Sequence, residues 1–330
     1  MIKSEKILMG TWLNYKEQPD SAWIEFFKKL TSSGISHFFI HASAKELHYL
    51  LSLTKNLDIK IHGWVWAFNR PNDKKAMKNL DWYSINRKGD NSYDARPYVE
   101  YYQWLSPFSS GATNHIKNNI KKISEVKGIA SVHIDYVRYC DVFLPSTLQK
   151  KYKIEQREVL HEYDYGYHKN GRRQFLKLHG VDPININNAS MYDKWIKFRH
   201  NAITKIVKEL KVIANNNGTN LSAAVFPTPE MSKRMVLQDW ASWNIDMVCP
   251  MNYHHFYGEN IDWIGKNVRL GLKEINPECI YLSGIYAGSL SPNMLGKAIK
   301  VSLENNASGV NFFSASNLSN EHLKVIKTFK

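Results

Sequence analysis

The 330-residue chain has only three cysteines, and their arrangement excludes a disulfide framework. Cys140, Cys249 and Cys279 lie far apart, and no two of them form a CxxC pair. An odd number of scattered cysteines is not typical of a disulfide-stabilised fold. Two of the three lie within apolar runs, so we expect them to pack as small core residues.

Long apolar runs and glycine-rich loops are also missing. No stretch approaches the ~18–20 apolar residues that a membrane span needs. Residues 1–6 are followed by only a short apolar run, which predicts a soluble chain without a signal peptide, although removal of an export signal would leave the same sequence. No GxGxxG or Walker loop follows any predicted strand, which disfavours a dinucleotide-binding sheet. We therefore predict no cofactor.

Positive charge and aromatic residues are abundant. The formal net charge of +14 favours anionic partners through its long-range field. The lysines are scattered along predicted helix faces, as at Lys28, Lys29 and Lys117, which indicates a solvated basic surface rather than a nucleic-acid groove. Ten Trp and 18 Tyr suit a cleft that stacks on the rings of sugars or bases, although many of them belong in a core.

Apolar strands alternate with amphipathic helices along the whole chain. Eight such units predict parallel strands with helical crossovers, and in a chain of this size they favour one closed α/β barrel, a single (β/α)8 TIM-barrel domain over residues 1–330. An open doubly wound sheet is the alternative. The predicted strands are Ile7–Leu13, Ser36–His41, Ile59–Phe68, Ile129–Ile134, Leu221–Phe226, Met247–Asn252, Ile280–Tyr286 and Gly309–Ser314.

Two long segments, 69–110 and 140–190, follow the third and fourth predicted strands. Both are rich in Tyr, and the first also contains Trp82 and Trp104. In an α/β barrel the loops after the strands build the functional site. We therefore expect these segments to line it.

The most informative stretch is the end of the fourth strand, where Asp135, Tyr136, Arg138 and Tyr139 follow the apolar run from Ile129. An unpaired buried charge is very costly, so a buried strand tolerates a carboxylate only at its end or with a partner. Polar residues clustered where a parallel strand stops are typical of a barrel active site. The structural alternative is an ion pair between Asp135 and Arg138 that closes the strand.

Other strand ends carry polar and aromatic side chains that suit sugar binding. Aromatic rings pack against the apolar faces of pyranoses, while His, Asn and Tyr bond their hydroxyls. A single Trp in such a position is more often part of a core. The predicted substrate-binding residues are His41, His62, Trp66, Tyr136, Arg138, Tyr253, His254 and Tyr286.

Six segments, taken in order, resemble a known group of proteins. They are Trp104-Leu-Ser-Pro-Phe108, His133-Ile-Asp-Tyr-Val-Arg-Tyr139, Arg173-Gln-Phe-Leu-Lys-Leu-His-Gly-Val-Asp-Pro183, Lys194-Trp-Ile-Lys-Phe-Arg199, Gln238-Asp-Trp240 and Met247-Val-Cys-Pro-Met-Asn-Tyr253. The chain resembles the bacterial glycoside hydrolases with family 10-like barrels. This resemblance implies a carbohydrate substrate and makes Asp135 the key carboxylate.

A more distant resemblance is to the family-18 chitinases, which Met251-Asn-Tyr253 matches at the end of the sixth strand. Those enzymes end strand four with a catalytic Glu, whereas this chain has Asp135-Tyr136-Val137. Substrate-assisted chemistry of the chitinase type is therefore not supported.

Glycoside hydrolysis ordinarily needs a second carboxylate near the first. We predict Glu230 for this role, with Glu259 and Asp94 as alternatives; the structural interpretation of Glu230 is a first-turn helix carboxylate favoured by the helix dipole. A non-catalytic carbohydrate-binding barrel is the main competing function. A metal-dependent hydrolase is less favoured, because strand one lacks a His-x-His pair and adjacent His254 and His255 point apart in an extended strand. We predict no metal site.

Overall fold

Eight parallel strands form one closed barrel in the computed structural model, which describes residues 7–330. In chain order they are β1 (Leu8–Asn14), β2 (His37–His41), β3 (Lys60–Trp66), β4 (Ser131–Asp135), β5 (Asn220–Val225), β6 (Met247–Pro250), β7 (Ile280–Tyr286) and β8 (Gly309–Phe313). Each strand pairs with the next, and β8 pairs with β1 to close the ring. The predicted (β/α)8 TIM barrel is confirmed.

Helices surround the barrel and connect its strands. They are α1 (Asp20–Ser32), α2 (Ala44–Leu53), α3 (Ser110–Ser124), α4 (Ser146–Tyr152), α5 (Lys169–His179), α6 (Ala189–Asn216), α7 (Pro229–Val236), α8 (Asp262–Leu272), α9 (Pro292–Glu304) and α10 (Asn320–Lys327). Long segments follow β3 and β4, as predicted, and the second of them contains α4 and α5. Within residues 7–330, no helix combines the length and the apolar character needed to cross a membrane.

Local sequence explains where several helices begin and end. The side chains of Thr228 and Ser291 accept hydrogen bonds from backbone N–H groups in the first turns of α7 and α9. Pro229 and Pro292 follow them, at a position where a helix needs no N–H donor. Gly180 ends α5 with a φ of 73°, a conformation that favours glycine.

The sequence pattern after the fifth strand predicts a helix over residues 230–243 with Asp239 in its middle, but the observed helix is shorter. It ends at Val236, because Leu237 adopts a left-handed conformation with a φ of 52°. The next side chain, Gln238, is fully buried and accepts a hydrogen bond from the Phe226 N–H at 3.0 Å. Asp239, expected in mid-helix, instead lies beyond the helix and pairs with Lys233.

The barrel has two apolar cores, because successive side chains of a strand point to opposite faces. Val132 and Ile134 of β4 point outward and pack among the helices. Gly63 of β3 also faces outward, and a Cβ there would lie 2.4 Å from the Ile123 side chain, so glycine permits α3 to pack closely. The inner core consists of Trp12, Phe39, Trp64, Ala224, Met247, Cys249 and Leu282.

Candidate active site

Asp135 is the last residue of β4, and its side chain is 8% exposed. Its Oδ2 accepts a hydrogen bond from Trp64 Nε1 at 3.1 Å, and its Oδ1 accepts one from the Tyr136 N–H at 2.6 Å. Burial raises the pKa of the carboxyl to about 6, outweighing these two bonds and the field of Arg138, which act to lower it. With this pKa, about half of the Asp135 carboxyl groups are protonated at pH 6 and about a tenth at pH 7.

Arg138 pairs with a different carboxylate from the one that the ion-pair alternative requires. Its Nη1 lies 3.2 Å from Oδ2 of Asp141, and both side chains are buried. The guanidinium also lies about 5 Å from the ring centroids of Trp104, Tyr136 and Phe226. Within residues 7–330 no cationic side chain pairs directly with Asp135, so the structural alternative of an ion pair between Asp135 and Arg138 is wrong.

A cleft of about 330 Å³ opens above Asp135 at the carboxyl ends of the strands. Its walls are largely aromatic. The lining residues are Trp12, Trp64, Trp66, Tyr101, Tyr102, Asp135, Tyr136, Arg138, Asp141, Pro145, Leu148, Lys151, Tyr152, Ala224, Phe226, Pro227, Met251, Tyr253, Phe256, Tyr257, Tyr286 and Phe313. The segment after β4 supplies a large part of this wall, including Asp141 and three residues of α4, Leu148, Lys151 and Tyr152.

Five of the predicted substrate-binding residues meet at this cleft: Trp66, Tyr136, Arg138, Tyr253 and Tyr286. The ring centroids of Trp66 and Tyr136 lie 4.9 Å apart on one side. Those of Tyr253 and Tyr286 lie 5.6 Å apart on the other. Tyr136 has a left-handed backbone with a φ of 52°, an uncommon conformation for a residue with a side chain.

The other predicted residues lie outside the cleft lining. Glu230 is exposed in the first turn of α7, where the structural alternative placed it as a carboxylate favoured by the helix dipole. His62 is buried in the barrel interior, where its ring stacks on Phe39 at 4.2 Å. His41 is exposed and bonds the Trp64 carbonyl through Nδ1. His254 is buried in a short turn after β6.

The alternative carboxylates, Glu259 and Asp94, are exposed and do not line the cleft either. Sequence reasoning missed Asp141, which is the second carboxylate of the cleft lining. Its position only six residues after Asp135, in the same strand-end segment, is the signal that could have found it. In the part of the chain that the structure describes, no three His, Cys, Asp or Glu side chains are grouped so that they could hold a metal ion.

Comparison with known proteins identifies the fold. No protein-family model and no curated protein matches the chain. The glycoside hydrolase domain of PgaB (BpsB) from Bordetella bronchiseptica superposes with a TM-score of 0.71 at 10% identity, over 97% of this chain and 98% of that one. The catalytic domain of β-amylase from Paenibacillus polymyxa gives 0.66 at 11% identity, over 98% of both chains.

A β-galactosidase from Marinomonas ef1 gives a TM-score of 0.70 at 9% identity, over 98% of this chain and 58% of that enzyme. The barrel is one that glycoside hydrolases use. Similarity at this level of identity shows the fold alone. Membership of the family 10-like group, or of family 18, stays a prediction.

A chain of hydrogen bonds crosses the barrel interior beneath the cleft. Trp12 Nε1 donates to His133 Nε2 at 3.1 Å, and His133 Nδ1 lies 2.9 Å from Ser222 Oγ. Ser222 contacts Ser131, which in turn contacts His62. An indole N–H can only donate, so Nε2 of His133 must accept and its proton must sit on Nδ1. His133 is therefore neutral, and burial lowers its pKa to about 3.

This neutral histidine should make stability depend on pH. In the unfolded chain an ordinary histidine has a pKa of about 6.5, so between pH 6.5 and 3 the unfolded state binds the extra proton and stability falls as pH falls. Acidification from pH 7 to pH 5 should lower the free energy of unfolding of the wild type by about 2 kcal/mol more than that of His133→Gln. Urea unfolding at both pH values measures this difference.

The raised pKa of Asp135 has the opposite effect on the pH dependence of stability. Asp135 is present in both proteins, so its contribution cancels in the comparison. The exposed His48→Gln variant is the matched control and should lose stability on acidification as the wild type does. Equal pH dependence in His133→Gln and the wild type would mean that His133 is not held neutral.

Proposed function

We propose that the protein is a glycoside hydrolase that acts on an oligo- or polysaccharide, with Asp135 as its acid group. The observation that carries the proposal is the Asp135 carboxyl, with its pKa raised to about 6, at the floor of an aromatic cleft. Protonation of the leaving oxygen of a glycoside requires a carboxyl that still holds its proton near working pH, and burial is the usual way to obtain one.

The walls of the cleft support a sugar as substrate. Trp66, Tyr253 and Tyr286 offer flat apolar faces, and tyrosine hydroxyls and Arg138 offer polar contacts. The solved structures with the same fold include a β-amylase and a β-galactosidase, enzymes named for carbohydrate substrates. Fold and wall chemistry thus point in the same direction, although fold alone does not decide function.

The second carboxylate of the proposed mechanism is Asp141 rather than Glu230. Asp141 lines the same cleft as Asp135, whereas Glu230 is exposed outside it. Arg138 contacts Asp141, and its charge also acts to lower the pKa of Asp135, so one guanidinium influences both carboxyl groups. In this assignment Asp141 serves as nucleophile or base while Asp135 protonates the leaving oxygen.

The direct test is a hydrolysis screen. The wild-type protein is incubated with cello-, malto- and chito-oligosaccharides of two to six units, and new reducing ends are measured together with the remaining substrate. Release of reducing ends by the wild type, lost in Asp135→Asn, supports the proposal. The anomer first formed, followed by NMR, decides between retention and inversion. No release from any substrate counts against hydrolysis of these glycans.

A carbohydrate-binding barrel without catalysis is the second candidate. The observation in its favour is that Asp141 is engaged in a buried ion pair, and the carboxylate predicted as the partner of Asp135 lies outside the cleft. Binding of an oligosaccharide that is never depleted would favour this function over hydrolysis.

Contact with sugar can be separated from a role in the core by truncating two aromatic residues. We expect Trp66→Ala and Tyr253→Ala each to weaken oligosaccharide binding about 10-fold or more, since truncation removes the aromatic face against which the apolar face of a pyranose packs. Burial predicts instead a loss of stability of ~3–5 kcal/mol, as for a core aromatic residue. Binding isotherms and thermal melts on both variants distinguish the two effects.

Trp82→Ala is the matched control, because Trp82 is half-buried but does not line the cleft. It should leave oligosaccharide affinity unchanged. Unchanged affinity in the two cleft variants, together with a severe loss of stability, would assign Trp66 and Tyr253 to the core.

A further inference from the structure

A second hollow, of about 490 Å³, adjoins the cleft on its β1 and β8 side. We call it the β1–β8 groove. It lies between the end of β1, the face of α1 from Ala22 to Lys29 and the residues that follow β8. Trp64 and Phe313 line both the groove and the cleft, and their ring centroids are 6.4 Å apart. The two spaces therefore meet at the same pair of rings.

The groove is lined by groups that suit a hydroxyl-rich ligand. Asn14, Gln18 and Ser316 contribute amide and hydroxyl groups, and Phe26 contributes an apolar ring. Amides and hydroxyls both donate and accept hydrogen bonds, as sugar hydroxyls do. Lys16 adds a charged donor at the edge. Asn14, Ser316 and Lys16 are exposed, so these groups are open to a ligand from solvent.

The groove is also tied to the candidate acid. Trp64 lines the groove and its indole N–H donates to the Asp135 carboxylate. A chain that leaves Asp135 in this direction passes the Trp64 and Phe313 rings directly. The cleft alone, at about 330 Å³, is at the lower end of the ~300–1,000 Å³ range of small-ligand pockets, so a longer chain needs further room.

We propose that the β1–β8 groove binds additional sugar units of a chain whose reacting bond lies at Asp135. The substrate is then an extended oligosaccharide or polysaccharide that crosses from the cleft over Trp64 toward α1, rather than a short glycoside. The assignment of the reacting bond rests on the proposed function, whereas the binding of an extended chain can be measured without catalysis.

The test blocks the groove without touching the cleft. Ser316 is exposed on the groove wall, and Ser316→Trp would fill the space with an indole. The matched control is Ser32→Trp, at the exposed last residue of α1, which does not line the groove. Both are made in the Asp135→Asn protein, which leaves chains uncut, and affinities for cello-, malto- and chito-oligosaccharides of two to six units are measured by calorimetry.

We expect affinity to rise with chain length in Asp135→Asn and in its Ser32→Trp derivative. Ser316→Trp should remove that rise, weakening binding of the longest chain about 10-fold, which corresponds to ~1.4 kcal/mol, and leaving the shortest chain unaffected. Gln18→Ala, which removes a wall amide without adding bulk, should cause a smaller loss for long chains only. This second variant still tests the groove if Ser316→Trp destabilises the fold.

The outcomes are distinguishable from those of the hydrolysis screen. Length-dependent binding that Ser316→Trp abolishes, together with no hydrolysis by the wild type, supports the groove and contradicts the proposed function. Affinity that does not increase with length, or an increase that survives in both groove variants, overturns the groove. Binding of none of the three series overturns it as well.

Discussion

Asp135→Asn is expected to lower hydrolysis by about 10²–10⁴-fold, the usual contribution of a general acid or base, while the chain still folds. Asparagine is nearly isosteric with aspartate, and its one side-chain oxygen can still accept the Trp64 indole N–H, although the bond from the Tyr136 N–H is then lost. It cannot deliver a proton. Initial rates on the best oligosaccharide from the screen, compared at equal protein concentration, measure the effect.

The raised pKa of Asp135 predicts a second effect of this variant: its thermal stability should not fall while its activity does. Because the folded-state pKa of about 6 exceeds the unfolded value of about 3.9, ionisation of Asp135 destabilises the fold as pH rises through that interval. The neutral asparagine avoids this cost, so at pH 8 the variant should melt at the same temperature as the wild type or higher. The wild-type rate should fall above pH 6 as the acid form disappears.

Asp94→Asn is the control, because Asp94 is exposed and outside the cleft, and it should change neither activity nor melting. Turnover like that of the wild type in Asp135→Asn would remove Asp135 from the mechanism. A large fall in its melting temperature would instead assign the carboxylate a structural role.

The barrel could be predicted from the sequence because its strands are continuous apolar runs separated by helical patterns. A parallel strand that is buried on both faces has this continuous apolar pattern. Eight such strands in one chain are compatible with few topologies, of which the closed barrel is one. The position of Asp135 followed from the same logic, since a charged group can end such a strand but cannot lie within it. Tyr253 and Tyr286 were predicted at strand ends by the same argument, and both line the same cleft.

The partners of Asp135 could not be predicted, because they depend on strand register and loop path. The bond from Trp64 to Asp135 exists because β3 and β4 pair with Trp66 opposite Asp135, which places Trp64 one inward-facing step below. No local pattern encodes that register. Glu230 follows a strand as Asp135 does, but the first turn of α7 directs it to solvent.

The segment after β4 was the hardest part to predict. It contains α4, none of whose residues is fully buried, and α5, in which only Gly171 and Phe175 are buried. Both helices are short and mostly polar, so the sequence predicted only a long aromatic loop here. Tertiary contacts hold the segment instead, and near Asp141 they include a hydrogen bond from the Tyr98 hydroxyl to the Asp141 carbonyl.

A buried ion pair among these contacts is the basis of the second prediction with a large expected effect. Asp164 of this segment and Arg199 of α6 form a bidentate ion pair, and their side chains are 2% and 0% exposed. The guanidinium lies 4.8 Å from the ring centroid of Tyr139. Gly166 completes the enclosure, because a Cβ there would lie 2.3 Å from the Arg199 guanidinium.

Removing either charge alone should destabilise the protein by ~3–5 kcal/mol, because the remaining charge is left buried without a partner. We therefore expect Asp164→Asn and Arg199→Met each to unfold at much lower urea concentration than the wild type. The double variant Asp164→Leu/Arg199→Met should regain most of that loss, since an apolar pair of similar volume avoids the cost of desolvating two ions.

The exposed pair of Glu155 and Arg157 provides the comparison within the same segment. Arg157→Met should leave the unfolding midpoint where it is, because solvent already screens that interaction. If the two buried single variants were as stable as the wild type, the ion pair would not anchor the segment after β4. Loss of oligosaccharide binding in parallel with the loss of stability, and its recovery in the double variant, would show that this anchor also holds the Asp141 wall of the cleft in place.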